Sequence, residues 1–171
     1  MMVENIETPW IINIELTNLC QLECVFCDHP VFKKKMRLGC MEDSLLRKVL
    51  SDVDQDWRGE KIHELGLVGL GEPTLDKRWL YHLNIIGEYS HCFDRISLNS
   101  NLVSLSPEKS KEALESPINT FTFSINASNK KHYFEMMGTN QFDHVVENFN
   151  HFLDAWQKTG KEASVDVQIF D

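Results

Sequence analysis

Residues 10–27 read WIINIELTNLCQLECVFC. A strand-like apolar run, Trp10 to Leu16, delivers the chain into a turn carrying three cysteines in eight residues, Cys20, Cys24 and Cys27. Three thiolates on one loop can hold an iron–sulfur cluster and leave one iron without a protein ligand, open to further chemistry. Zinc is the competing reading, because a Cys-x-x-Cys pair completed by other Cys or His ligands is common structural zinc chemistry. Its fourth ligand would come from His29, His63, Cys40 or Cys92, none of which stands at a zinc-ribbon or finger spacing. A disulfide framework is disfavoured by the odd number and low density of the five cysteines. Residues 1–5, Met-Met-Val-Glu-Asn, have neither a basic start nor an apolar signal run, so the thiols read as reduced, in a cytoplasmic protein.

Outward from this stretch, strands and helices alternate. Residues 41–53 read as a helix, with Leu45, Leu46, Val49, Leu50 and Val53 on one face, and residues 62–68 as the second strand. Residues 78–88 form the next helix, residues 95–98 a short strand, and Ser106-Pro107 caps a helix that ends near Ser116. Residues 120–125 read as a strand, residues 141–158 as a long amphipathic helix stopped by Gly160, and residues 163–170 as a fifth strand. Such alternation implies a parallel sheet with right-handed crossovers, either open and doubly wound or curled as a barrel. At roughly 31 residues per unit of an eight-unit barrel, the chain supplies about five βα units of a partial, TIM-like (β/α) barrel. In either form the site lies at the carboxyl ends of the strands.

The 171 residues form one domain, 1–171, with no linker or second domain; a 42% hydrophobic and 25% charged composition is that of a globular chain. No apolar run approaches the roughly 18 residues of a membrane span. The formal net charge of −9 argues against a nucleic-acid backbone as partner. The basic run Lys33-Lys34-Lys35-Met36-Arg37 reads as a solvated loop, and the seven histidines show no metal-site spacing.

Gly69-Leu70-Gly71-Glu72-Pro73 follows the second strand directly. Its glycines let the backbone approach a ligand, and Glu72 is expected at the rim, accepting hydrogen bonds from an ammonium group. The Lys-Ser/Thr of a phosphate loop is missing. By themselves, Asn99 and Asn126 are ordinary turn residues.

Together the cysteine spacing and the Gly-Glu-Pro turn resemble the radical S-adenosylmethionine superfamily, over roughly residues 10 to 171. The resemblance implies a partial (β/α)6 barrel, with Cys20, Cys24 and Cys27 as ligands of a 4Fe-4S cluster and Phe26 beside the adenine of S-adenosyl-L-methionine. Gly69, Gly71, Glu72 and Pro73 match the turn that binds the methionyl amino group, although Leu70 stands where that turn usually has its first glycine. Asn99 in Leu98-Asn99-Ser100-Asn101, and Ser124 and Asn126 in Ser124-Ile125-Asn126-Ala127, match later segments that face the cofactor. In that family an acid is usual where this chain has Asn126, so a ribose contact survives but an ionic one does not. Residues 131–138 are similar to the helix entry of members that carry a SPASM or twitch extension. Met137 replaces their Arg, and Gln168 on the fifth strand is the candidate to contact the cofactor carboxylate instead.

The implied chemistry is reductive cleavage of S-adenosylmethionine to methionine and a 5'-deoxyadenosyl radical, which takes hydrogen from a peptide or small-molecule substrate. A flavodoxin or ferredoxin would supply the electron. No side chain need act as acid or base in the first step; burial and hydrogen bonds to sulfur would tune the cluster. Cys40 and Cys92 are expected to be non-ligating. The alternative function is a non-catalytic zinc or iron–sulfur module serving a partner protein. The chain stops inside the fifth strand, which reads as a fragment of a longer enzyme, ahead of a truncated member or half of a barrel completed by a second chain; the sheet edge left at residues 163–170 is apolar.

Overall fold

The computed structural model describes residues 8–170; the signal-peptide reading of residues 1–5 lies outside them. Five strands, β1 (Ile11–Ile14), β2 (Ile62–Leu67), β3 (Phe93–Ser100), β4 (Thr120–Ser124) and β5 (Ser164–Gln168), form one sheet in sequence order, each pair parallel. A doubly wound sheet reverses its strand order at a switch point, whereas a barrel does not. The unreversed order is therefore that of a partial (β/α) barrel.

Six helices connect the strands: α1 (His29–Phe32), α2 (Asp43–Asp56), α3 (Trp79–Glu88), α4 (Pro107–Glu115), α5 (Lys130–Met137) and α6 (Phe142–Thr159). On α2, Leu46, Leu50 and Val53 are buried at helical spacing. The Ser106 hydroxyl accepts from the Lys109 N–H with Pro107 in the first turn of α4, and Gly160, at φ 62°, ends α6 in the left-handed conformation. Phe121 and Phe123 of β4 meet Phe152 of α6 with ring centroids 4.8 Å apart in each case. They join Leu65, Leu67 and Leu98, all fully buried, in one core.

Some boundaries depart from expectation for local reasons. β3 runs over eight residues because Phe93 pairs with Ile62, and Asn99 and Ser100 with Thr122 and Phe123, at its two ends. β1 stops at Ile14 because Leu16 turns instead to the chain returning from the cysteine loop, accepting from the Met41 N–H at 2.8 Å. The basic region follows α1 as turn and bend, and Lys33 at its start pairs with Glu23 at 2.5 Å. Among the described residues no helix is long and apolar enough to cross a membrane.

Candidate active site

The cysteine loop hangs from the carboxyl end of β1 and is closed at its base. Thr17 bridges Cys40, the Thr17 hydroxyl donates to the Gly39 carbonyl at 2.8 Å, and the Gly39 N–H donates to Asn18 Oδ1 at 2.8 Å. Its middle is held by α5, whose last turn offers carbonyls with no helical partner. The N–H groups of Glu23 and Val25 donate to Met137 and Met136 there, at 3.4 and 3.0 Å. Gly138, at φ 73°, lets the chain leave α5 past Glu23. The three cysteines are half-buried free thiols. Two sulfurs receive hydrogen bonds: Cys27 Sγ from the His29 N–H at 3.4 Å and Cys20 Sγ from Asn101 Nδ2 at 3.8 Å.

The glycine turn after β2 lies against this loop. Glu15, one residue past β1, accepts from the N–H groups of Leu70 and Gly71 at 2.6 and 2.9 Å, and the Glu72 N–H donates to the Leu19 carbonyl at 2.7 Å. A methyl group on Gly71 would overlap the Thr17 carbonyl, so backbone excludes a side chain there, while one on Gly69 would have to displace the Glu15 carboxylate. Leu70 is exposed and meets no such limit, which explains why it stands in place of a glycine.

Glu72 corrects the sequence expectation. Its carboxylate is not at the rim: it is 3% exposed and takes four internal donors. Oε1 accepts from the Thr74 N–H at 3.1 Å, the Thr74 hydroxyl at 2.6 Å and the Ser100 hydroxyl at 2.8 Å, while Oε2 accepts from the Asn101 N–H at 2.7 Å. Burial pushes the carboxyl up, against these four donors. Pro73 is buried behind it, opening a 3-10 turn, Pro73–Leu75.

A cavity of about 470 Å³ opens between the two loops. Cys20, Cys24, Cys27, Phe26, Gly69, Gly71, Glu72, Asn99, Ser124, Asn126 and Gln168 all line it; of the sequence-predicted site residues, Pro73 alone does not. Ser124 donates to Gln168 Oε1 at 3.0 Å. Phe26 meets Phe170 edge-on, centroids 5.9 Å apart, at the mouth. Asn126 takes the left-handed conformation at φ 58°, donates through Nδ2 to Met137 Sδ at 3.6 Å, and leaves its buried Oδ1 without a partner. A larger concavity, about 840 Å³, lies on the outer surface along α3 and α4, lined by residues of both charge signs and by no cysteine.

Burial, then the Cys20 and Cys27 sulfurs, push the Cys24 thiol up to about 12, and burial likewise raises Cys20. Thiols raised in this way give up their protons to a bound metal rather than to solvent. Tetrahedral zinc would hold its sulfurs about 3.8 Å apart. Among the described residues these three do not all lie within 4.8 Å of one another. Nor do the proposed fourth zinc ligands converge: His29 is buried with Nε2 on the Asn18 carbonyl at 2.9 Å, His63 stacks on Trp10, and Cys40 lies against the Thr17 hydroxyl. Three thiols on one loop and the orphaned Asn126 oxygen fit a sulfur-ligated metal group with an organic cofactor beside it.

The sequence reading missed Glu15, Thr74, Ser100 and Asn101 as shaping residues, and Tyr133, which is fully buried with its hydroxyl unpartnered. Burial first, then the charges of Cys24 and Cys20, push that hydroxyl up.

A parallel strand arc with a three-thiol loop and a glycine turn at its carboxyl end, both facing one cavity, defines an α/β protein of the partial-barrel class. Residues 14–161 match the radical SAM superfamily. The chain belongs to that superfamily. Solved structures with the same fold include Streptococcus suis SuiB bound to S-adenosylmethionine, at 18% identity and a TM-score of 0.68 over 92% of this chain and 33% of that one. They include anSMEcpe with bound AdoMet, at 18% identity and 0.70 over 93% and 42%, and BtrN in complex with AdoMet and 2-DOIA, at 18% and 0.64 over 94% and 57%. The chain thus spans from a third to somewhat more than half of the length of these structures. No curated protein sequence matches it significantly.

Proposed function

We propose that this chain is the cofactor-binding core of a radical SAM enzyme acting on a peptide or small-molecule substrate. The observation that carries the reading is the convergence of Cys20, Cys24 and Cys27 with the Gly69–Gly71 backbone and Asn126 on one cavity. Cys20, Cys24 and Cys27 would hold the 4Fe-4S cluster, and the glycine backbone, Phe26, Asn99, Ser124, Asn126 and Gln168 would hold S-adenosylmethionine. When bound, these groups supply a 5'-deoxyadenosyl radical that abstracts hydrogen from substrate. The protein's own share is positional. Glu15 fixes the glycine turn from below, and Glu72, at the cavity wall, is held by Thr74, Ser100 and Asn101. Asn126 Oδ1 offers an acceptor with no competing partner.

Substrate class rests on analogy: one solved SuiB structure holds the precursor peptide SuiA and one anSMEcpe structure the Cp18Cys peptide, whereas BtrN holds 2-DOIA. A flavodoxin- or ferredoxin-type reductant, cytoplasmic residence and a further segment or second chain completing the barrel belong to the same proposal. Electron paramagnetic resonance of the anaerobically reconstituted, dithionite-reduced protein tests it. A 4Fe-4S signal that changes on adding S-adenosylmethionine is expected. Zinc without acid-labile sulfide would overturn the reading in favour of a metal-binding module.

A further inference from the structure

The opposite end of the sheet carries a second convergence of ligand atoms. Asp54 lies in the last turn of α2; His91 and Cys92 lie in the 3-10 turn Ser90–Cys92 that feeds β3. Asp54 Oδ1 is 3.0 Å from His91 Nε2 and 3.6 Å from Cys92 Sγ, and Nε2 and Sγ are 3.5 Å apart. This is the one group of three among the described residues whose ligand atoms lie so close. A zinc tetrahedron with Zn–S of about 2.3 Å and Zn–N and Zn–O of about 2.0 Å has edges of about 3.5 Å from sulfur and about 3.3 Å between nitrogen and oxygen. The observed triangle matches these edges to within a few tenths of an ångström.

A surface His–Asp pair accounts for one edge. The buried Cys92 thiol donates toward the same carboxylate oxygen, so all three ligand atoms converge on one point. Oxygen, imidazole and thiolate together suit a borderline-soft cation.

We propose that Asp54, His91 and Cys92 bind a zinc ion, with water in the fourth position, cross-linking the end of α2 to the start of β3. Cys92, expected from sequence to be non-ligating, is here a ligand. His91 and Asp54 reach solvent and give the ion its entry, while Cys92 closes the inner side. Binding displaces the Cys92 proton, so affinity rises with pH. The eight residues of β3, roughly 26 Å, separate this site from the cysteine loop, so the two sites can be assayed independently.

The test uses the anaerobically cluster-loaded chain, in which Cys20, Cys24 and Cys27 are already occupied. After equilibration with equimolar zinc and desalting, elemental analysis is expected to find about one zinc per chain beyond the iron. His91→Ala, at an exposed side chain, and Cys92→Ser are each expected to weaken zinc retention at least about tenfold with iron unchanged. Zinc absent from the wild type, or retained equally by His91→Ala, overturns the proposal. So does zinc that disappears only when Cys20, Cys24 and Cys27 are replaced, because it then sits in the cysteine loop. A zinc-edge absorption spectrum with one sulfur neighbour supports the assignment independently of either variant's stability.

Discussion

Asn101 joins three parts of the site through one residue. Its N–H donates to Glu72, its Nδ2 to Cys20 Sγ, and its Oδ1 accepts from Gln21 Nε2 and the Val103 N–H. A hydrogen bond to a ligating sulfur stabilises the more reduced cluster. Asn101→Ala should therefore move the midpoint potential to a more negative value, with iron content kept and activity lowered by about 10- to 100-fold; a redox titration followed by electron paramagnetic resonance reads this, and an unmoved potential would refute the role. The glycine turn offers a sharper contrast between neighbours. Gly71→Ala forces a methyl onto the Thr17 carbonyl and is expected to cost about 1–3 kcal/mol in urea unfolding. Leu70→Ala, one position away at an exposed side chain, should stay within about 0.5 kcal/mol.

Between elements, buried polar ties do what apolar packing does elsewhere. Glu72 binds the end of β2 to the end of β3, and Glu72→Gln would turn an amide donor toward groups that are themselves donors. A loss of about 2 kcal/mol or more is expected, read by denaturant unfolding of the metal-free chain. A second tie joins α2 to α3: buried His82 meets Asp76 at 2.5 Å and Asp43 at 3.1 Å, and Arg78 pairs with Asp43 at 2.5 Å. Burial alone would lower the His82 pKa, but the two carboxylates outweigh it and hold the group above its ordinary 6.5. Burial likewise opposes ionisation of Asp76, yet His82 and the Arg78 N–H hold that carboxyl below its ordinary 3.8. The His82 contribution is complete below pH 6.5 and lost as pH rises through the raised value; that of Asp76 is complete above pH 3.8 and lost as pH falls through the lowered one. The network should stabilise most between those limits, and His82→Asn should flatten the alkaline side of a melting-temperature profile against pH.

At the scale of the whole chain, what was legible was local. Cysteine spacing, helical faces such as Leu46, Leu50 and Val53, and the Ser106 and Gly160 stops are written within a few residues of one another. Glu15 with Leu70, Gln21 with Asn101, and Asp54 with His91 are 55, 80 and 37 residues apart, and only the winding of the strands brings them together. The position of Glu72 in the turn after β2 was legible but its burial was not, since the four donors that enclose it come partly from another strand. Among the described residues both outer strands of the sheet, β1 and β5, have one edge without a strand partner, and Val167, Ile169 and Phe170 are exposed at the second. The chain in isolation is expected to self-associate; a monodisperse monomer by light scattering would contradict this. The closed base of the cysteine loop carries a further consequence. Its Thr17–Gly39 and Leu16–Met41 bonds, like the Phe121–Phe123–Phe152 core, use no metal. Removal of any metal group that the cysteines hold would thus leave the scaffold standing, ready to be refilled without refolding.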